Sequence, residues 1–294
     1  MKVRTMISLF VITFSISFVT LYAEERERPI SFKIIETQSG QIVTWKNVLD
    51  RLESHEVVVW GEEHDDTMGH QAQLSFFKLL TERFPTALSL EMLERDQQTT
   101  VNEFFQSHIS ERQFLDSLVL WKNFLSDYFP LLKHAKEVYA PIVCANPPRR
   151  YVSSLAKKGM LAYADFSEEA LRYIPAAYSL SLFSSEDYTN KLRGVFSSTH
   201  GNSSQPTPQV ESLILAQFMW DQGMAESVSR EIYRSGRKVL QINGRFHSDE
   251  WGGLSHRLRQ MGHKVVLISA FPEGKEDEKK FVKIADFVIL TSGR

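Results

Sequence analysis

Short apolar runs alternate along the chain with longer segments in which apolar residues recur at helical spacing. The runs predict buried strands, at Val57–Trp60, Ala87–Met92, Pro141–Asn146, Lys238–Asn243, Lys264–Ala270 and Asp286–Leu290. The periodic segments predict helices, at Gly69–Phe84, Gln97–Gln106, Glu111–Leu118, Leu125–Tyr139, Arg149–Lys158, Gln209–Ser235 and Trp251–Met261. This alternation favours an α/β fold, with a mostly parallel sheet flanked by helices on both faces.

Residues 160–206 interrupt the alternation. They contain four tyrosines, no strong strand pattern and a polar stretch toward their end. We therefore predict a smaller helical insert at about 160–206, with a flexible loop at roughly His200–Pro206. The insert is expected to lie within a single domain that spans residues 24–294.

The first 23 residues have the layout of a secretory signal peptide. Lys2 and Arg4 give a positive start, an apolar run follows, and Ala23 precedes a charged stretch. We expect export, with a bacterial periplasm as the favoured compartment and the signal removed. The run from Met6 to Ala23 is also long enough to span a bilayer. An uncleaved segment would therefore anchor the chain to the inner membrane.

Composition and charge exclude several classes of function. The 294 residues are 43% hydrophobic and 24% charged, which is typical of a protein with a packed core. Lys plus Arg number 34 against 36 for Asp plus Glu, so nucleic-acid binding through a basic face is disfavoured. The single cysteine, Cys144, excludes an intramolecular disulfide and cysteine-rich metal sites. No P-loop, GxGxxG or GxSxG motif is present.

The same short pattern, Gly-x-x-His, follows two predicted strands and ends at His64 and His247. The carboxyl ends of parallel strands meet at one edge of a sheet, so we expect these histidines to converge. Glu62 and Glu91 lie at strand ends beside them. Glu62, His64 and His247 could bind a divalent metal ion, and all four residues could act as general acid and base. Alternatively, the four side chains only brace the turns through mutual hydrogen bonds.

Two arginines follow the third predicted strand. Arg149 and Arg150 could hold carboxylates of a ligand, or those of Glu62 and Asp65. An internal salt bridge is an equally good interpretation of this pair.

Several segments together resemble the ChaN-like family of haem-binding uptake proteins in the Tiki superfamily, over about Val57 to Leu290. The resembling segments are GEEHDDTMGHQ (Gly61–Gln71), SLEMLERDQQ (Ser89–Gln98), the W-x-N-x-x-x-D-Y-x-P pattern (Trp121–Pro130), ANPPRRYV (Ala145–Val152), AQFMWDQGMAESV (Ala216–Val228), GRFHSD (Gly244–Asp249) and ADFVILT (Ala285–Thr291). The resemblance implies an α/β fold and a role in iron acquisition through haem. It also implies a cofacial haem pair between two subunits, with a tyrosine on each iron and basic side chains of the partner on the propionates.

The resemblance directs the search for haem contacts to the tyrosine-bearing insert. Tyr188 is our first candidate for the iron ligand and Tyr178 the second, with Lys191 and Arg193 as propionate contacts. The alternative is that these tyrosines only pack the insert. No cysteine lies near residue 23, so the chain lacks the lipidation site of family members described as lipoproteins.

The superfamily also suggests a competing function. Tiki proteins and erythromycin esterase-like enzymes resemble this chain in their Gly-x-x-His elements, and they are hydrolases. The favoured hypothesis is an exported, dimeric haem-binding protein in iron uptake or storage. The alternative is a metal-dependent protease or esterase that uses Glu62, His64, Glu91 and His247, and a third hypothesis is a structural or partner-binding protein.

Overall fold

Eight strands form one mixed sheet in the computed structural model, which describes residues 32–200 and 207–292. The strands are β1 (Phe32–Glu36), β2 (Gln41–Val43), β3 (Val57–Glu62), β4 (Thr86–Glu94), β5 (Ile142–Asn146), β6 (Lys238–Gly244), β7 (Val265–Pro272) and β8 (Phe287–Thr291). Their order across the sheet is β2-β1-β8-β7-β3-β6-β4-β5. The strands from β8 to β5 run parallel to one another, whereas β1 is antiparallel to β2 and β8.

Helices of very different lengths connect the strands. They are α1 (Trp45–Arg51), α2 (Thr67–Arg83), α3 (Gln98–Phe105), α4 (Glu111–Asp116), α5 (Phe129–Glu137), α6 (Arg149–Lys158), α7 (Glu168–Leu171), α8 (Ser179–Leu182), α9 (Glu186–His200), α10 (Pro208–Ser235), α11 (Gly253–Gln260) and α12 (Phe281–Ile284). Within the described residues, no helix is both long and apolar enough to cross a membrane.

Side chains of β3 show that the sheet is covered on both faces. Val58 and Trp60 pack in one apolar cluster, which contains Phe76 of α2, whereas Val57 and Val59 pack in a second cluster with residues of α10 and α11. Successive residues of a strand point to opposite faces, so a strand that is apolar throughout must be buried on both. The predicted fold class, a mostly parallel sheet flanked by helices with a smaller helical insert, is confirmed.

The insert has an apolar cluster of its own. Leu180, Tyr188 and Leu192 from α8 and α9 pack against α6 and the first half of α10. The predicted loop after His200 and the predicted signal segment lie outside the described residues.

Three local predictions differ from the structure. The β1–β2 hairpin was not predicted, because β2 has three residues and an exposed surface that leaves little apolar pattern. The predicted helix at Leu125–Tyr139 begins only at Phe129, after a π-helical turn at Phe124–Tyr128. The predicted helix from Trp251 begins at Gly253, because Glu250 and Trp251 have left-handed backbone angles.

Candidate functional site

The carboxyl ends of β3, β4 and β6 bring the predicted acidic and histidine residues together. In register, Glu62 at the end of β3 lies beside Gly244 at the end of β6. The Gly244 amide donates a 2.7 Å hydrogen bond to Glu91 Oε2 of β4. His64 and His247 follow β3 and β6, and we refer to Glu62, His64, Glu91 and His247 as the acid–histidine cluster. The expected convergence of the two Gly-x-x-His elements is therefore what the structure shows.

Both glycines of these elements allow close approach. A β-carbon on Gly244 would lie 2.6 Å from His64 Nε2, and one on Gly61 would lie 2.8 Å from Ser248 Oγ. Gly61 lies within β3, one residue before the strand ends. A larger residue at either position would push the His64 ring or the turn after β6 away from the sheet.

Glu62 is a buried carboxylate that accepts hydrogen bonds from three side chains. The Tyr128 hydroxyl donates to Oε1 at 2.5 Å, and His64 Nδ1 lies 2.9 Å from the same oxygen. The Gln73 amide of α2 donates to Oε2. The carboxylate therefore joins α2 and the π-helical turn, and it holds His64 by Nδ1, so that Nε2 lies against Gly244.

His64 is the most accessible member of the cluster, with 42% of its side chain exposed. Burial lowers the pKa of His64, but the hydrogen bond to Glu62 and the charge of Glu91 outweigh burial and raise it. The charge of protonated His247 opposes this increase, so the two rings are close enough for one to affect the protonation of the other. The Trp121 ring contacts His64 edge-on, with ring centroids 4.9 Å apart.

Glu91, His247 and Asp221 form a buried ionic triad. His247 Nδ1 lies 2.6 Å from Asp221 Oδ1, and Nε2 lies 3.5 Å from Glu91 Oε1. Burial alone would lower the pKa of His247, but the two carboxylates raise it to about 10. Burial would raise the pKa of Glu91, but the charge of His247 lowers it to about 2. His247 is therefore a cation at neutral pH, held between two anions.

Tyr188, the first candidate for the iron ligand, is buried against this triad. Its side chain is 4% exposed, and its hydroxyl donates a 2.9 Å hydrogen bond to Asp221 Oδ2. Burial, followed by the charge of Asp221, raises the pKa of Tyr188 well above its usual value. In this arrangement the Tyr188 hydroxyl is closed to a haem iron, and its role as iron ligand would require α9 to move.

The other three residues predicted to contact haem lie at the surface of the insert. Tyr178 is 78% exposed. Lys191 pairs with Glu250 at 2.7 Å, and Arg193 pairs with Glu211 at 2.9 Å. Both predicted propionate contacts are thus already engaged with carboxylates of the same chain.

The alternative metal prediction on Glu62, His64 and His247 has no support in the described geometry. Within residues 32–200 and 207–292, no group of three or more His, Cys, Asp or Glu side chains is arranged to hold a metal ion. The hydrogen bonds to Glu62 and the ion pair of His247 instead satisfy these groups internally.

One interpretation of the sequence paired Arg149 and Arg150 with the carboxylates of Glu62 and Asp65. Among the described residues, neither arginine forms such an ion pair. Arg150 pairs with Asp96 at 2.7 Å, and the Arg149 amide donates to Glu94. The internal salt bridge is therefore the correct alternative for Arg150. Both arginines border a groove of about 770 Å³ whose apolar wall includes Trp121, and we call it the Trp121 groove. His64 does not line this groove, but its ring contacts Trp121.

Arg245 links the two sequence motifs across the sheet edge. Its guanidinium lies 2.8 Å from Glu63 Oε1 and 2.7 Å from Asp249 Oδ2. Burial raises the pKa of Asp249 to about 6 although the Arg245 charge opposes the increase. This network satisfies the buried charges of Arg245 and Asp249, and it shares no residue with the acid–histidine cluster.

Comparison with known proteins identifies the family. The family model described as haem-binding uptake, Tiki superfamily, ChaN matches residues 48–258, which is more than half of the chain. The chain belongs to this family. The resemblance found in the sequence is thereby confirmed, whereas no curated protein matches the chain.

A solved structure shares the fold of this ChaN family member. ChaN of Campylobacter jejuni, whose structure is described as showing cofacial haem binding, superposes with a TM-score of 0.69 at 19% identity, covering 89% of this chain and 97% of its own. A mutant of erythromycin esterase EreC in its open conformation superposes at 0.45, with 13% identity and coverage of 89% and 83%. A succinoglycan biosynthesis protein superposes at 0.46, with 10% identity and coverage of 77% and 68%.

Several residues that complete the cluster were not predicted from the sequence. Tyr128 and Asn123 come from the W-x-N-x-x-x-D-Y-x-P pattern, and Asn123 donates to the His64 carbonyl at 2.8 Å. Asp221 comes from the AQFMWDQG segment of α10. Both segments are among those that resemble the ChaN family, so the sequence carried a signal for them. Their contacts with the cluster could not be inferred, because spacing along the chain does not show which strand end each helix covers.

Proposed function

We propose that this protein binds ferric haem as an exported carrier in iron uptake or storage. The observation that carries the proposal is the match of the haem-binding uptake family model to residues 48–258. Haem is here the cargo, a flat apolar molecule with two carboxylates and an iron that accepts a phenolate or imidazole. The chain must therefore supply an accessible ligand, apolar walls and cations.

Accessible tyrosine hydroxyls satisfy the first requirement. Among the described residues, four tyrosines have hydroxyls that neither donate a hydrogen bond to another described group nor accept one: Tyr139, Tyr173, Tyr178 and Tyr233. Tyr178, the second candidate from the sequence, is one of them, whereas Tyr188 is not.

The insert also exposes apolar side chains, including Leu161 and Leu182. Exposed apolar surface of this kind supports the proposal that two copies associate around haem.

A titration with hemin tests the proposed function. The full chain, expressed in a bacterial host and purified without added haem, is expected to shift the Soret band of hemin and give the spectrum of a tyrosine-ligated ferric haem. Sedimentation with and without hemin is expected to show dimer formation. Mass spectrometry of the same preparation reads the mature N-terminus and tests export, which predicts loss of residues 1–23. An unchanged hemin spectrum at excess protein would reject haem binding.

Acid–base hydrolysis is a second candidate function, favoured by the geometry at His64. The ring is half-exposed, its Nδ1 is held by Glu62, and it contacts Trp121, which lines the Trp121 groove. An imidazole oriented by a carboxylate is suited to activate a water molecule as general base. The groove would hold the body of an ester or peptide substrate, and no metal ion is needed for this role.

Replacing His64 with alanine tests this second function. If the wild-type chain hydrolyses members of a panel of chromogenic esters and peptides, His64→Ala should reduce kcat/KM by roughly 100-fold or more. The wild-type rate should increase with pH, with a midpoint above the usual histidine pKa, since the base must be neutral and its pKa is raised. His108→Ala, at an exposed histidine, is the matched control. Equal rates for His64→Ala and wild type would exclude His64 as the base.

A further inference from the structure

A cleft of about 930 Å³ runs along the outer edge of the sheet, and we call it the edge cleft. Its floor is the edge strand β5, and its two walls come from α3 and from the second half of α10. It shares no lining residue with the acid–histidine cluster or with the Trp121 groove. Its volume is within the range of about 300–1,000 Å³ that is typical of sites for small organic ligands.

The backbone of β5 at the floor of the edge cleft has a side chain as partner. Gln98 of α3 accepts a hydrogen bond from the Cys144 amide at 2.8 Å and donates one to the Ile142 carbonyl at 2.9 Å. The side-chain amide thus takes the place of a neighbouring strand at these two groups. Because buried polar groups are costly only when they lack partners, an apolar chain can cover these two groups without leaving them unsatisfied. The floor therefore favours a ligand with an apolar body.

The two sides of the edge cleft differ in chemistry. The α3 side presents the apolar side chains of Val101 and Phe105. The opposite side is basic, with four arginines and one glutamate: Arg95, Arg172, Arg230, Arg234 and Glu231. A ligand that matches both sides has an apolar part and an anionic part.

One positive charge of the edge cleft is uncompensated. Arg230 forms no ion pair within the part of the chain that the structure describes. The other three arginines have partners: Arg95 with Glu226, Arg172 with Glu169, and Arg234 with Glu231. A carboxylate carries one negative charge, whereas a phosphate monoester carries nearly two at neutral pH, so a carboxylate matches the single free cation.

Arg230 lies toward the carboxyl end of β5. Burial lowers the pKa of Arg95, and the charge of Arg230 lowers it further, so the two guanidinium groups are close. Arg95 donates to Ser227 Oγ at 2.9 Å, and Ser227 in turn donates to the Ala145 carbonyl at 3.1 Å. Pro141, at the other end of the floor, is about 13 Å from Ala145, since each residue of a strand adds about 3.3 Å. The cleft is therefore elongated, with its free cation at one end.

Tyr139 borders the other end of the edge cleft in a conformation that tyrosine rarely adopts. Its φ is 54°, and its side chain is 83% exposed. The Ala140 amide donates to the Ala135 carbonyl at 2.8 Å, so Tyr139 occupies the position after α5 at which helices usually have glycine. Helix termination alone would favour glycine here. A large ring at this point, on the rim of an apolar channel, is suited to cover the end of a ligand chain.

We propose that the edge cleft binds a fatty acid, with its carboxylate on Arg230 and its acyl chain along β5 and α3 toward Tyr139. The Arg230 guanidinium donates hydrogen bonds to the carboxylate, and no covalent bond forms or breaks. This ligand is distinct from haem, so the inference does not depend on the proposed function.

Calorimetric titration of the full chain with decanoate, below the concentration at which it forms micelles, tests the proposal. Decanoate is expected to bind. Decanol lacks the charge and acetate lacks the chain, so each should bind at least roughly tenfold more weakly. Octanoate should bind roughly fivefold to fifteenfold more weakly than decanoate, as expected for the loss of two buried methylenes. Equal affinities for decanoate and decanol, or the absence of decanoate binding, would overturn the proposal.

Two variants test the location of the ligand. Arg230→Gln should weaken decanoate at least roughly tenfold and bring its affinity close to that of decanol. Tyr139→Gly should weaken decanoate several-fold, whereas its thermal unfolding temperature should not decrease, because glycine relieves the left-handed backbone. A merely structural role of Tyr139 would leave the affinity unchanged.

Matched controls change similar groups outside the edge cleft. Arg237→Gln removes a neighbouring arginine, and Glu250→Gly relieves another left-handed residue, with a φ of 61°. Both should keep the wild-type affinity for decanoate. Wild-type affinity in Arg230→Gln would place the ligand elsewhere and reject the site. Wild-type affinity in Tyr139→Gly would show that the proposed direction of the acyl chain is wrong.

Discussion

Replacing Glu62 with alanine is expected to lower the free energy of unfolding by about 3–5 kcal/mol. The substitution leaves the Tyr128 hydroxyl and the Gln73 amide, both fully buried, without an acceptor. Each buried donor left without a partner costs about 1–3 kcal/mol, and the cavity adds to this cost. Urea denaturation followed by far-ultraviolet circular dichroism measures the change.

Two variants define the origin of this loss. Glu62→Gln keeps an acceptor oxygen and the volume of the side chain, so it is expected to cost less than half as much. Glu53→Ala removes an exposed carboxylate that pairs only with Arg83 at the surface, and should cost about 0–1 kcal/mol. A loss below about 1 kcal/mol for Glu62→Ala would show that Tyr128 and Gln73 find other partners, and that Glu62 does not organise the cluster.

The convergence of His64 and His247 could be predicted from the sequence, because each follows a short apolar run that ends in glycine. Parallel strands place their carboxyl ends together regardless of the intervening chain. The prediction needed no knowledge of side-chain packing, which is why it is correct although 183 residues, by the difference of their numbers, separate the two histidines.

The environment of Tyr188 could not be predicted in the same way. The sequence correctly placed it on a helix with Lys191 and Arg193 nearby, but the choice of buried face depends on the helices that pack against it. Leu192, four residues later, is buried with Tyr188, and this i, i+4 pair was the available signal for an inward face. The partner Asp221 lies in α10, more than 30 residues away, and no local pattern connects the two.

The edge cleft, a cavity of about 930 Å³ at the outer edge of the sheet that is lined by residues of β5, α3 and α10, illustrates a second limit of sequence reasoning. Its arginines come from the end of β4, from the insert and from α10, and none forms a recognisable motif with another. Gln98 lies in a segment that resembles the family, but its role in covering the edge of β5 depends on the position of α3. Charge that accumulates from distant segments is visible only once the chain is folded.

His247→Gln is expected to lower the free energy of unfolding by about 3–5 kcal/mol near pH 6, because it leaves Glu91 and Asp221 buried without their cation. The cost should decrease as the pH increases. The pKa of His247 is raised to about 10 in the folded chain, against about 6.5 when unfolded. Its contribution is therefore complete below about pH 6.5 and is lost as the pH increases toward 10.

Protonation of Glu91 determines the low pH at which the same ion pair is lost. Its pKa is lowered to about 2, so its contribution is complete above its usual value of about 4.5 and is lost as the pH decreases toward 2. The ion pair thus stabilises the fold most between about pH 4.5 and 6.5, and the two shifts describe one interaction that is counted once. Urea denaturation of wild type and His247→Gln at pH 6 and pH 9 measures the difference.

The double variant Glu91→Gln with His247→Gln separates the ion pair from simple loss of packing. It removes both charges and keeps similar volumes, so it should be more stable at pH 6 than His247→Gln alone. Its stability should also change less between pH 6 and pH 9 than that of wild type. If His247→Gln costs the same at both pH values, His247 is neutral in the folded chain. The buried cation would then be absent, and Asp221 would be held by hydrogen bonds to a neutral ring and to the Tyr188 hydroxyl.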